Sequence, residues 1–132
     1  MAHFFEFNST HAIFLVRFAG QVTDEEFKEY YRVAGEQITR LRPSATISDY
    51  SEVTDLQVSV QLLRELAHSY IAMPAENPRL VVAAAPHIYG LARMFQSEGE
   101  PSRPNLHVVT TLAEAFAHLK VENPQFELVP TA

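Results

Sequence analysis

The chain contains no cysteine, only four glycines, fewer cations than anions and no long apolar run. Without cysteine there is no disulfide framework, no thiolate nucleophile and no cysteine-based metal site. That composition suits a reducing cytoplasm. Four glycines leave neither a phosphate-cradling loop nor a nucleophile elbow. Ten Lys and Arg against sixteen Asp and Glu give a net charge of -6. Phosphate-backbone binding needs clustered cations, because counterion release supplies most of the nonspecific affinity. Here Arg32, Arg40 and Arg42 stand among Asp24, Glu25, Glu26, Glu29 and Glu36, which is the composition of a solvated helix face. Nucleic acid and an acidic membrane surface are therefore not expected as partners. The longest apolar runs, 13–16 and 80–85, are too short for a membrane span, and the opening MAHFFEFNST lacks the basic and apolar regions of a signal peptide. A cytoplasmic protein is expected. The six histidines (His3, His11, His68, His87, His107, His118) offer no pair at metal-ligand spacing on one helix, so neither metal nor cofactor is expected.

What is present is an alternation of strands and helices. A chain of 132 residues is long enough for one sizeable core, since domains near this size bury ~70% of their unfolded surface. Phe5 and Phe7 alternate with Phe4 and Glu6 in a first strand, and Asn8-Ser9-Thr10 supplies a turn. The second strand, 12–18, puts Phe14, Val16 and Phe18 on one face and Ile13, Leu15 and Arg17 on the other. Thr23 and Glu26 form a capping box, with Val22 and Phe27 as a hydrophobic staple. The helix that follows carries Phe27, Tyr30, Tyr31, Ala34, Ile38 and Leu41 at helical spacing and stops at Arg42-Pro43. Its aromatic residues, with Tyr70 further on, read as core.

A short strand, 45–50, precedes a polar turn. A second helix then carries Ser59, Leu62, Leu63, Leu66, Ala67 and Tyr70 on one stripe and ends near Pro74. The run LVVAAA, 80–85, has the all-apolar character of a strand covered on both faces. Pro86 suits the first turn of a helix over 87–96. The segment SEGEPSRP, 97–104, reads as a flexible flap with fast amide exchange, since Pro101 and Pro104 forbid a continuous helix. A last strand, 106–109, leads to a helix capped by Thr111 and Glu114 and lined by Leu112, Ala115, Phe116 and Leu119. The order β-β-α-β-α-β-α-β-α implies an α/β fold. A single-layer, mixed and mostly parallel sheet follows an N-terminal hairpin. The domain is expected over 1–121, with 122–132 as a C-terminal tail.

Three stretches carry a family resemblance: DYSEVTDLQVSVQLL (49–63), RLVVAAAPHIYGLARMFQ (79–96) and HVVTTLAEAFAHL (107–119), with YGLARMF (89–95) the most specific string. The chain resembles the STAS domain (sulfate transporter and anti-sigma antagonist) in its SpoIIAA-like branch, which is related to the SEC14 lipid-binding fold. In anti-sigma antagonists an Asp-Ser-Ser-Gly motif opens the helix, and a partner kinase phosphorylates its second serine. That motif falls here on Gln57-Val58-Ser59-Val60, where only Ser59 matches. A phosphate in a first helical turn is favoured by free N–H groups and the helix dipole, but Val58 and Val60 crowd the docking surface. The reading is that the phosphoserine switch is lost and Ser59 is a small residue tucked against the sheet.

In α/β sheets, ligands and partners collect beyond the carboxyl ends of parallel strands. That edge carries Asp49, Tyr50, Ser51 and Ser59 after one strand and His87 with Tyr89 after the next, with Arg93 one turn beyond Tyr89. Asp49 and Asp55 form a possible carboxylate pair, although Asp55 or Thr54 also serves as a helix cap. Tyr89 and Arg93 either face the rim or brace their helix. The first functional reading is a non-enzymatic STAS-like regulatory or scaffold domain acting through protein contacts. The second is a carrier or sensor of a small apolar or lipid-like ligand, which the SEC14 relation implies. An enzyme at the Asp49–His87 edge is the third. A mostly apolar cavity of about 300 Å³ or more marks a carrier, and a solid interior marks a contact module. Finally, Phe4, Ile13 and Leu15 point away from the helix-covered face. Either the helix over 87–96 covers them or a second copy does, and a homodimer is the expectation.

Overall fold

The computed structural model describes residues 3–69, 73–101 and 103–130. Tyr70 and Ser102, and with them part of the second helical stripe and of the expected flap, lie outside the described residues. The chain runs β1 (His3–Asn8), β2 (Ile13–Thr23), α1 (Asp24–Leu41), β3 (Ala45–Gln57), α2 (Val60–Ala67), β4 (Arg79–Val82), α3 (Pro86–Glu98), β5 (Leu106–Val109), α4 (Leu112–His118) and β6 (Glu127–Leu128). One sheet of order β5-β4-β3-β2-β1-β6 results. β2, β3, β4 and β5 pair in parallel, while β1 pairs antiparallel with both β2 and β6.

The local chemistry of α1 is as expected. The Thr23 side chain accepts from the Glu26 N–H, and the Glu26 carboxylate accepts from the Thr23 N–H. Two N–H groups that the helix leaves unpaired are satisfied this way. At the other end Arg42 adopts a left-handed conformation (φ 50°) and donates its N–H to the Ile38 carbonyl, and Pro43 prevents continuation.

The two central strands are longer than expected. β2 continues to Thr23 and β3 to Gln57, and the two remain paired throughout, with register shifts between Arg17 and Ala19 and between Gly20 and Gln21. Gly20 sits at the second shift with φ +70°, a backbone conformation that suits glycine. The stretch 51–57 is thus strand, not polar turn. Val53 and Leu56 are half-buried there, while Ser51, Glu52, Thr54, Asp55 and Gln57 are exposed. Beyond Asp49, β3 no longer pairs with β4, so this strand end has one free edge and tolerates polar side chains. Neither Thr54 nor Asp55 caps α2, because both lie within the strand.

The two faces of β2 separate as the alternation requires. Phe14, Val16 and Phe18 join a core with residues of α1, α2 and α3. Ile13 and Leu15 join a second core with Ile47, Leu80, Val82 and Ala115. The sheet-forming crossovers step in one direction, β2 to β3 to β4 to β5, so their common hand places α1, α2 and α3 on the same face. The chain must then return from β5, at one edge, to β6 at the other, and α4 crosses the opposite face on the way.

That route corrects two expectations. Leu15 is 0% exposed and Ile13 is 2% exposed, and what covers them is neither α3 nor a second copy. α4 and the segment after it do so, with Phe116, Leu119 and Phe126 packed on the cluster. Of the three residues expected at a two-fold contact, only Phe4 remains exposed. Parts of the segment expected as a flap over 97–104 are built into the fold. Ser97 and Glu98 complete α3. Gly99 is buried, and the Arg103 N–H donates to the Gly99 carbonyl at 2.8 Å. Arg103 itself is buried and fastened to α2, because a guanidinium withdrawn from water must find acceptors.

The residues expected to form a tail supply the sixth strand. β6 pairs with Glu6 and Phe7 of β1, and the Asn8 amide donates to the Gln125 carbonyl at 2.8 Å. Among the described residues no helix is long and apolar enough to cross a membrane.

Candidate functional site

The seven residues expected on one rim are distributed over both faces of the sheet. Asp49 is buried on the α4 side of β3, where its Oδ1 accepts from the Ser51 N–H (3.0 Å) and hydroxyl (2.6 Å). Its other oxygen lies 3.6 Å from Arg17 Nη1, and Arg17 also pairs with Glu6. Asp49 and Ser51 thus form a closed polar knot. Tyr50, one residue along, points to the opposite face and stacks on Phe18 with ring centroids 4.5 Å apart. Asp55 lies in the exposed end of β3, accepting from Gln57 rather than pairing with Asp49.

Ser59 is exposed, not tucked against the sheet. It is the N-cap of α2: its hydroxyl accepts from the Leu62 N–H at 3.1 Å, and its own N–H donates to Asp24 Oδ1 at 2.7 Å. His87 is exposed in the first turn of α3. Arg93 Nη1 donates to the Tyr89 hydroxyl at 3.3 Å, with its guanidinium 6.0 Å from that ring's centroid. Tyr89 and Arg93 are one helical turn apart and engage each other.

A different site stands out on the face covered by α1, α2 and α3. Between α1 on one side and α3 on the other, a cavity of about 720 Å³ opens over β3 and β4. Its floor includes Thr46, Ser48 and Tyr50, which share the cavity face of β3, and Val81 of β4. Small side chains at 46 and 48 occupy positions where a filled core would carry large ones. The α1 wall includes Ala34 and Gly35, and a Cβ added at Gly35 would meet nothing within 4 Å. Leu91 and Phe95 line the α3 side. The mouth reaches solvent beside Arg32, Glu36 and Thr39, all exposed on α1.

Three tyrosines and two arginines give this apolar space its polar points. Burial raises the Tyr30 hydroxyl's pKa, against the opposing influence of a hydrogen bond to Ser48 and of the Arg103 charge. Burial, and then the neighbouring Tyr30, raises Tyr31, with Arg103 opposing. Burial also raises Tyr50, well above the ordinary phenol range. All three are neutral donors and acceptors at any physiological pH.

Arg103 Nη1 donates to the Ala67 carbonyl at 2.6 Å and its Nη2 to the Leu66 carbonyl at 3.1 Å, and the guanidinium lies 5.2 Å from the Phe95 centroid. Arg79, at the start of β4, donates from Nη2 to the Met73 carbonyl at 2.8 Å and from Nη1 to the carbonyls of Pro74, Ala75 and Asn77. Both side chains line the cavity.

Of the seven residues expected from the sequence, Tyr50 is the one that lines this cavity. Tyr30 and Tyr31, expected in the core, line it too. The signal for Arg79 and Arg103 was faint: single arginines flanking apolar strands, with no helical or strand pattern to place them. Among the described residues no group of three or more His, Asp or Glu side chains is disposed to hold a metal ion.

The architecture has a counterpart among solved structures. The chain is similar to an anti-sigma factor antagonist from Mycobacterium paratuberculosis, with 24% sequence identity, a TM-score of 0.55, and coverage of 83% of this chain and 87% of that one. The likeness shows the fold, which is the STAS, SpoIIAA-like fold that the resemblance in the sequence implied. No family model and no curated protein matches the chain.

Proposed function

We propose that this protein is a cytoplasmic, non-enzymatic regulatory domain that senses or carries a small, mostly apolar ligand between its helices and its sheet. The cavity carries this reading. At about 720 Å³ it exceeds the ~300 Å³ that separates a carrier from a packed contact module and falls within the ~300–1,000 Å³ of small-molecule sites. The cavity supports the second of the two leading sequence-based readings, and the proposal places it first. The STAS-like fold supports action through protein contacts as well, since the structural neighbour is described as an anti-sigma factor antagonist. A ligand that binds one conformation of such a domain better than another shifts its contacts by that differential affinity.

The test is organic extraction and mass spectrometry of protein purified from its own source, beside a Ser48→Phe variant. Wild type is expected to yield a stoichiometric small molecule. The variant fills the floor of the cavity and is expected to stay folded and to yield none. Wild-type protein with no extractable ligand would return the contact module to first place.

Regulation through Ser59 is not part of the proposal. A phosphate on Ser59 would add about -1.5 to -2 charges next to the Asp24 carboxylate that accepts from the same residue's N–H. It would also load the oxygen that caps α2 with a bulky phosphoryl group. Phosphopeptide mapping of the protein from its native cells is expected to find Ser59 unmodified. Substantial occupancy there would restore the phosphoserine switch.

A further inference from the structure

We propose that the cavity takes an amphiphilic carboxylate, its acid head held by Arg79 and Arg103 and its aliphatic body lying along the floor of the sheet. The inference rests on the ligand-binding reading above and names the chemistry of that ligand.

The argument begins with an imbalance of charge. Arg79 is 9% exposed and Arg103 is 4% exposed. Buried charges are as a rule paired with an opposite charge, because desolvating an unpaired ion costs far more than a neutral hydrogen bond returns. Among the described residues no carboxylate lies within ion-pair distance of either guanidinium. Their acceptors are all backbone carbonyls. The two cations also feel each other: burial first, and then the Arg103 charge, lowers the pKa of Arg79, with Tyr31 and Glu76 opposing more weakly. Two buried like charges with no carboxylate at ion-pair distance, both lining one cavity, are complementary to an anion within it.

The donors point to the kind of anion. A guanidinium carries five N–H groups, and Arg103 spends two hydrogen bonds on the end of α2. Donors remain for a planar two-oxygen head, the geometry that arginine matches best. The neutral Tyr31 hydroxyl, which feels the Arg103 charge and lines the same cavity, can add a further donor. The remainder of the wall is apolar, with Val16, Ile38, Leu91 and Phe95 facing the space. A free inorganic anion would leave that surface without a partner, and a neutral hydrocarbon would leave the two charges without one. A carboxylate on an aliphatic chain satisfies both.

Binding of decanoate and of 1-decanol to the full chain, measured by titration calorimetry and by tyrosine fluorescence, tests the proposal. Wild type is expected to bind decanoate at least tenfold more tightly than decanol. Arg103→Met and Arg79→Met are expected to lose that preference while still binding decanol, which also reports that each variant is folded. Arg103→Lys keeps the charge and is expected to keep most of the preference. Equal binding of acid and alcohol by wild type overturns the carboxylate assignment and leaves the apolar-ligand reading standing. Binding of neither overturns both. Should either methionine variant fail to fold, the wild-type comparison of acid with alcohol still decides.

Discussion

Leu15→Ala is expected to lower the free energy of unfolding by about 2–5 kcal/mol, the range of large-to-small substitutions at fully buried sites. Leu15 has no exposed surface and sits at the centre of the sheet, against Ile47 on one side and beneath α4. Removal of three side-chain carbons leaves a void that the surrounding strands cannot close, because β2 is hydrogen-bonded on both edges, to β1 and β3. A domain of this kind has about 5–15 kcal/mol in all, so the loss is a large fraction of the total. Urea denaturation should show a lower midpoint with an unchanged slope. Leu15→Glu is expected not to fold, since it buries an unpaired carboxylate in the same place. A folded Leu15→Glu chain with native far-UV signal would mean that Leu15 faces a surface after all, and would reopen the two-fold contact through β2.

The misplaced two-fold contact, with Ile13 and Leu15 covered from within the chain, shows where a sequence is informative and where it stops. The assignment of Ile13 and Leu15 to one face and Phe14, Val16 and Phe18 to the other follows from a two-residue period and is reproduced in the two cores. The caps at Thr23 and Thr111 are equally local, and both carry reciprocal hydrogen bonds to the glutamate three residues on. Which partner covers a face is not local. It depends on the route from β5 back to the far edge of the sheet, and that route is fixed by pairing between β1 and β6. A two-residue strand has no period to read. The stretch 51–57 was obscure for a related reason: a strand with one free edge shows mostly polar residues, and Asp and Ser otherwise mark turns.

The cavity was the least legible feature. Thr46 and Ser48 are ordinary strand residues, and Tyr30, Tyr31 and Phe27 have the spacing of any inward stripe. A void is a property of how far α1 stands from α3 across the sheet, and no window of sequence contains that distance. Arg79 and Arg103 are separated by 23 intervening residues of chain and line one cavity because Arg79 pairs with Leu106, at the start of β5, in the sheet. The rim over the strand ends, by contrast, was expected from topology alone. Asp49 and Ser51 turned away from it to satisfy each other and Arg17.

Truncation after Val121 is expected to destabilise the fold by about 2–4 kcal/mol, summing partial burial of aromatic and aliphatic groups with a few backbone hydrogen bonds. Phe126 stacks on Phe116 with centroids 6.0 Å apart and packs on the Ile13–Leu15 core. The Val129 N–H donates to the Phe5 carbonyl at 2.9 Å. The deletion would also leave Asn8, 4% exposed, without the Gln125 carbonyl that receives its amide, and a buried donor with no partner costs more than the lost bond itself. β1 would then become a sheet edge presenting unpaired N–H and C=O groups beside the exposed ring of Phe4. Such an edge templates association with other copies. The thermal midpoint of the truncated chain should therefore fall by on the order of 10 °C, with concentration-dependent aggregation that the full chain does not show. An unchanged midpoint would mean that the segment after Val121 is an appendage, and that α4 alone keeps water from Leu15.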